Sequence, residues 1–377
     1  MMFKMFIFNL LLKWGEKIFS FEFQKILHRH AVKLSEEYYT SETPLTDFFN
    51  QENYFKNDNY KLLDAGCSGG ISFYWHRIKD LSVIGIDLAK EEIDRLNREK
   101  KSNSEQYVYA QIVNKKKVET KFINNFDQND NEIGFNDTGA KKIQDLFDKL
   151  SIKKKRIATS DTRVENLIKN VEKKTLKEIC EENNFEKINF VDIDLDSNSL
   201  LGLYSLENLI KTPELFGIKI EVVFPEKLHG DYFLKICEFM HEFNYSLVKI
   251  LPKKYGTYEL PNQFMYDIAA QSIDGFDHQG DLIYIKTINH DTIKGLDKVN
   301  FCKFLTTLEM INLQGFAIKL LDLEKNKFFN DETKKKFKDL LTIVPSKANF
   351  GKVMNHDEYT NKIEKDPYSL MKYVKTN

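Results

Sequence analysis

Asp64-x-Gly66-x-x-Gly69 puts a carboxylate two residues ahead of a glycine-rich turn, and a second acid, Asp87, follows 23 residues later. Glycines at 66 and 69 let a ligand approach the backbone with no Cβ in the way. An acid at 87, ending a second apolar run, can accept both hydroxyls of a ribose. NAD and S-adenosylmethionine both carry such a ribose, so Asp87 alone leaves both open. Asp64 separates them. A carboxylate at the end of the first strand repels a pyrophosphate and welcomes an ammonium or a sulfonium. The residues expected to hold the cofactor are therefore Asp64, Gly66, Cys67 and Gly69 in the turn, Asp87 and Leu88 after the second strand, and Gln111 after the third.

The elements that must position these residues follow from hydrophobic pattern. Lys61–Asp64, Leu81–Ile86 and Tyr107–Val113 read as strands, with a helix carrying Ile71, Tyr74, Trp75 and Ile78 on one face after the first. A charged amphipathic helix spans Ala89 to Lys101. After a polar stretch from Asn114 to Arg156, the pattern resumes with a helix over Thr175–Asn184 (Leu176, Ile179 and Cys180 inward) and a fourth strand over Ile188–Ile193. Ser199 caps a leucine-rich helix expected to reach about Lys211. Ile218–Phe224 is a fifth strand, and Asp231–Phe243 a helix with Leu234, Cys237 and Met240 inward. Ser246–Leu251 and Leu282–Lys286 form a closing pair of strands. Alternating β and α elements predict a Rossmann-like, doubly wound α/β sheet, mostly parallel with an antiparallel closing strand. Three regions result: a helical segment over 1–55, a core over 56–290 with a polar insertion near 114–156, and a helical, lysine-rich extension over 291–377.

Composition bounds the function. The chain has 377 residues, 42% hydrophobic and 30% charged, which excludes wholesale disorder. Its 56 basic and 57 acidic residues cancel to −1, so no global field draws it to nucleic acid. The lysine runs at 115–117 and 153–156 lack interleaved aromatics and read as solvated faces. Four cysteines, at 67, 180, 237 and 302, form no C-x-x-C pair and fit a reducing, cytoplasmic setting. Met5 to Leu12 is apolar but too short to span a bilayer; it reads as a docked helix, with contact to a membrane surface as the alternative. His28-x-His30 has no cysteine partners nearby and makes a poor metal site.

At the residue level the first turn carries a resemblance. Leu62-Leu-Asp-Ala-Gly-Cys-Ser-Gly-Gly70 followed by Val83-Ile-Gly-Ile-Asp87 resembles motif I and its successor in class I S-adenosylmethionine-dependent methyltransferases. Lys174-Thr-Leu-Lys-Glu-Ile-Cys180 followed by Ile188–Asp196 is similar to the FkbM group, and Leu200–Ile210 and Lys219–Val223 continue its order. Asp192 stands where that group usually has lysine and Ser197 where it has glycine, while Asp194 and Asp196 keep two acids.

The resemblance implies transfer of a sulfonium methyl by in-line displacement to a glycan or small-metabolite acceptor, with S-adenosylmethionine as cofactor. A hydroxyl acceptor needs a base: Asp194 and Asp196 either serve as that base or hold the cofactor's amino-acid end, and His229 is the other candidate base. Asp192, Asp194 and Asp196 are also hard-cation ligands, but no metal is expected. A non-catalytic interaction protein on the same scaffold and a nucleotide-dependent oxidoreductase are the competing classes.

Overall fold

Short runs such as Leu62-Leu63, Val83-Ile84 and Phe190-Val191 have too few polar residues to leave either sheet face in water, so helices must cover both. A computed structural model describes residues 43–114, 171–195, 199–224, 232–254, 277–325 and 327–342, with Asn361, Glu364 and Lys365. The polar insertion from residue 115 onward, the first 42 residues, Asp196 and His229 lie outside the described residues.

Helix α1 (Pro44–Gln51) precedes strands β1 (Tyr60–Ala65) and β2 (Leu81–Asp87), helix α2 (Lys90–Glu99) and strands β3 (Glu105–Tyr109) and β4 (Gln111–Ile112). Strand β5 (Lys173–Lys174), helix α3 (Leu176–Glu182), β6 (Phe190–Ile193), α4 (Ser199–Ser205) and β7 (Gly217–Val223) follow. Then come α5 (Tyr232–Glu242), β8 (Tyr245–Lys254) and β9 (Asp277–Lys286), and four helices: α6 (His290–Lys294), α7 (Lys298–Met310), α8 (Gln314–Leu323) and α9 (Asp331–Leu341).

Seven strands form one sheet in the order β3-β2-β1-β6-β7-β9-β8, parallel except for β9, which runs antiparallel to both neighbours. The chain leaves β1 toward β2 and β3, then returns to β6 on the other side. That reversal is the switch point at which open α/β sheets bind ligands. The expected fold class is the one observed.

Alternation divides the core. Leu63, Ala65, Val191, Ile193, Ile218 and Ile220 pack beneath α3, α4 and α5. Tyr60, Leu62, Val83, Phe190 and Ile283 face α1 and the C-terminal helices. Those helices share the sheet's core: Phe304 of α7 stacks on Phe216 at 4.8 Å, and Thr307 hydrogen-bonds Tyr60 Oη at 2.8 Å. Every residue from Asn300 to Met310 is buried, as a helix enclosed on all sides requires. Helix α1 has no side-chain cap of its own. Glu309 supplies one from α7, accepting the backbone N–H groups of Leu45 (2.9 Å) and Thr46 (2.7 Å) and the Thr46 hydroxyl.

Several local expectations change. The segment after the glycine turn is a five-residue 3-10 helix, Phe73–Arg77, rather than an α-helix. The leucine-rich helix stops at Ser205 and continues as a 3-10 turn over Glu207–Lys211. The third strand ends at Tyr109; β4 leaves the main sheet to pair with β5. Leu234, expected inward, is 51% exposed, because α5 turns Ile236, Phe239 and Met240 to the core and a residue two before 236 lies off that face.

Candidate functional site

Parallel register aligns three polar residues across the switch point. Asp64 of β1 pairs with Asp192 of β6, and Asp192 with Lys219 of β7. All three lie on the sheet face that carries Tyr60 and Phe190, because side chains alternate along each strand. Asp64 is 7% exposed and Asp192 5%. Lys219 Nζ donates to Asp192 Oδ2 at 2.8 Å and stands 3.9 Å from Asp281 Oδ2 on β9.

Burial and then the facing Asp192 push the Asp64 carboxyl well above the usual carboxylate range, with Lys219 pulling the other way. Burial likewise raises Asp192 against the pull of Lys219. Burial works to lower Lys219, yet Asp192 and Asp281 outweigh it and hold the ammonium well above its ordinary value. Three buried carboxylates thus share one ammonium. Asp192 Oδ1 is buried and has no hydrogen-bond partner among the described residues.

The turn after β1 is shaped by backbone contact. Gly66, at φ +99°, donates its N–H to Ile86 O at 2.8 Å. A Cβ built on it would stand 1.7 Å from the carbonyl oxygen of Asp194, whose own N–H reaches Ala65 O at 2.8 Å. The end of β6 therefore lies directly against the turn, and only glycine fits between. Gly69, at φ +92°, gives its N–H to Glu92 Oε1 of α2 at 2.9 Å, and the space a Cβ would take there is open.

Cys67 turns its side chain inward among Ile93, Leu96 and Tyr107, and burial pushes its thiol up. Its side chain is core. What it can offer a ligand comes from its backbone.

Asp87 ends β2 half-buried, its carboxyl raised by burial, and Oδ1 accepts the N–H of Ala89 at 2.7 Å. That bond fixes the side chain at the strand end, with Leu88 half-buried beside it. Ala110 N–H bonds Asp87 O at 3.3 Å, which brings the third strand's end alongside. Gln111 follows, 3% exposed, with Oε1 buried and unpartnered among the described residues. Asp194 is half-buried and its charge acts on both Asp64 and Asp192.

The structure therefore gathers Asp64, Gly66, Gly69, Asp87, Gln111 and Asp194 at neighbouring strand ends. His229 and Asp196 fall outside the described residues, so no position is assigned to them. Lys219 and Asp281 are members of the row that sequence reasoning passed over. The signal for Lys219 was present: a lysine between Ile218 and Ile220, inside a run that must be buried. No group of three or more His, Cys, Asp or Glu able to hold a metal ion occurs among the described residues.

These residues suit a cationic nucleoside. Excess carboxylate with an open acceptor at Asp192 favours an ammonium and opposes a phosphate. The buried acceptor at Gln111 suits an amine donor.

No protein-family model matches the chain, and no curated protein matches it in sequence. Among solved structures, a chain of a fibrillarin/Nop5p complex is similar over 60% of this chain and 73% of its own length, at 9% identity and a TM-score of 0.27. A TehB-like SAM-dependent methyltransferase from Corynebacterium glutamicum is similar over 64% and 88%, at 10% identity and a TM-score of 0.26. Scores this low carry no functional inference, which rests on the strand ends themselves.

Proposed function

We propose that this protein is an S-adenosylmethionine-dependent methyltransferase acting on a hydroxyl of a glycan or small metabolite. The observation that carries the reading is the buried acidic end of β1. Asp64 and Asp192 stand side by side there, with more carboxylate than ammonium around them and Asp192 Oδ1 open.

The cofactor, when bound, supplies an activated methyl on a sulfonium, so the protein's work is binding, orientation and exclusion of water. Asp64 and Asp192 suit the ammonium of its amino-acid end. Asp87 suits the ribose hydroxyls, and Gln111 the exocyclic amine of adenine. The open space beside Gly69 lets the ligand lie close to the turn, whereas Gly66 serves the packing of the turn against the Asp194 carbonyl. For a hydroxyl acceptor, Asp194 and His229 are the side chains assigned to take the proton.

Calorimetric titration with S-adenosylmethionine, with NAD run in parallel, tests the reading. Binding of the first alone is expected. Asp87→Ala should weaken it roughly tenfold to a hundredfold, the worth of one or two hydrogen bonds to a charged group. Binding of NAD instead, or undiminished affinity in Asp87→Ala, would overturn the assignment.

A further inference from the structure

Lys219 occupies a position where a lysine is expensive. Its strand neighbours Ile218 and Ile220 are fully buried, and its ammonium lies between Asp192, at 2.8 Å, and Asp281, at 3.9 Å. Buried ion pairs rarely surpass well-packed apolar residues in stability, and a row with more acids than bases is less favourable still. The arrangement makes sense where the charge of the row itself has a use. We propose that Lys219 is a positioning residue whose ammonium keeps the Asp64–Asp192 pair ionised, so that the strand end is ready for a cationic ligand group. The identity of that ligand rests on the methyltransferase reading above.

The register supports this: Asp64 lies beside Asp192 and Asp192 beside Lys219 on three adjacent strands, with Lys219 Nζ 2.8 Å from Asp192 Oδ2. Asp87 acts from β2, Asp194 from the end of β6 and Asp281 from β9, all negative. Tyr74 of the 3-10 helix also acts electrostatically on Lys219. Among the described residues Lys219 is the positive group named as acting on Asp64 and on Asp192 alike. In Lys219→Met, burial and mutual repulsion go unopposed and both carboxyls rise further. In Lys219→Arg the charge is retained.

Two measurements on wild type, Lys219→Met and Lys219→Arg test this. The first is S-adenosylmethionine affinity by calorimetry over roughly pH 5.5 to 9.5. An opposite charge nearby shifts a carboxyl by about 1–3 units, so the pH of half-maximal affinity should rise by that amount in Lys219→Met. Affinity in Lys219→Met should fall most at the acid end and recover toward the alkaline end, and Lys219→Arg should keep the wild-type midpoint. Weakening by the same factor at every pH, or an unmoved midpoint, would overturn the proposal.

The second measurement is Tm against pH without ligand. A carboxyl whose folded pKa is raised loses stability as pH climbs from its unfolded value toward the folded one. The fall should be steeper in Lys219→Met, and Lys219→Met/Asp192→Asn, which removes one stranded carboxylate, should restore most of it. Parallel slopes in wild type and Lys219→Met would also overturn the proposal. If wild type binds no S-adenosylmethionine at any pH, the methyltransferase reading fails, and these slopes still decide the role of Lys219. The double variant serves if Lys219→Met does not fold.

Discussion

Gly66→Ala and Gly69→Ala form a pair in which one structural cause can be isolated. Both glycines have nearly the same positive φ, +99° and +92°. An L-residue there costs about 1–2 kcal/mol in each case. The surroundings differ. A Cβ at 69 meets nothing within 4 Å, whereas one at 66 stands 1.7 Å from the Asp194 carbonyl oxygen. An ordinary C···O contact is about 3.3 Å, so the β1 turn and the end of β6 would have to part by roughly 1.6 Å. That separation breaks the register between Ala65 O and Asp194 N–H, now 2.8 Å. Overpacking of this kind adds about 1–3 kcal/mol to the backbone cost. Gly66→Ala should therefore lie about 2 kcal/mol below Gly69→Ala in urea unfolding, a midpoint shift of roughly 1 M at the slopes common for domains. Cofactor affinity should fall in Gly66→Ala even at low temperature, where the variant is folded, because Asp194 moves away from Asp64. Equal midpoints for the two variants would refute the reasoning.

Other consequences follow from single residues. Glu309→Ala removes the acceptor for two backbone N–H groups and a hydroxyl at the start of α1, and should cost roughly 3 kcal/mol in chemical unfolding; Glu309→Gln, keeping one oxygen, should cost about half, and a loss under 1 kcal/mol for the alanine would show that α1 finds another cap. Burial depresses the Lys286 ammonium to about 8, so the unfolded chain holds more protons than the folded one between that value and 10.5, and stability rises with pH across the window. Lys286→Met should lose this rise, so its Tm gain over wild type should be larger near pH 7.5 than near 9.5; an equal offset at both would place the ammonium in water.

The parts of the site visible in sequence were those written into one strand end each. Asp64, Gly66, Gly69 and Asp87 sit where an apolar run meets a turn, and the run predicts the strand. Lys219 was not visible as a partner of Asp192, because the two lie 27 residues apart and meet only through the β6–β7 register. Register is a property of the whole sheet, and no local pattern states it. Helix phase failed for a related reason. Leu234, Cys237 and Met240 recur at three residues, whereas a 3.6-residue turn keeps Ile236, Phe239 and Met240 on one face. The C-terminal region read as a helical, lysine-rich extension, yet within it α7 is enclosed and Phe301, Phe304, Leu305 and Leu308 complete the core under β1, β6 and β9. Averaged composition concealed an 11-residue buried run, Asn300–Met310, among charged neighbours.

The element after the turn bears on the choice between a nucleotide phosphate and a sulfonium. Dinucleotide sites place the pyrophosphate at the N-terminus of the helix that follows the glycine turn, where unpaired N–H groups and the helix dipole both favour an anion. Here the turn leads into five residues of 3-10 helix, Phe73–Arg77, with no side-chain cap. So short a segment has little dipole to offer. One of the turn's own donors is spent as well, since Gly69 N–H is bonded to Glu92, a second acid facing the turn. Asp64 lies behind these residues, and Glu92 beside them is itself held by Arg95, at 2.6 Å from Oε1 and 2.9 Å from Oε2. An anion brought there would meet like charge from the strand ends at Asp64 and Asp194, and a cation would meet its complement. The same substitution therefore separates the two ligand classes. Glu92→Gln removes one carboxylate while keeping an acceptor for Gly69 N–H, so it should weaken S-adenosylmethionine several-fold through lost Coulomb attraction, more at low salt than at high, and should strengthen any residual NAD binding. An affinity for S-adenosylmethionine that is unchanged by Glu92→Gln at low salt would mean that the field of this turn does not select the ligand.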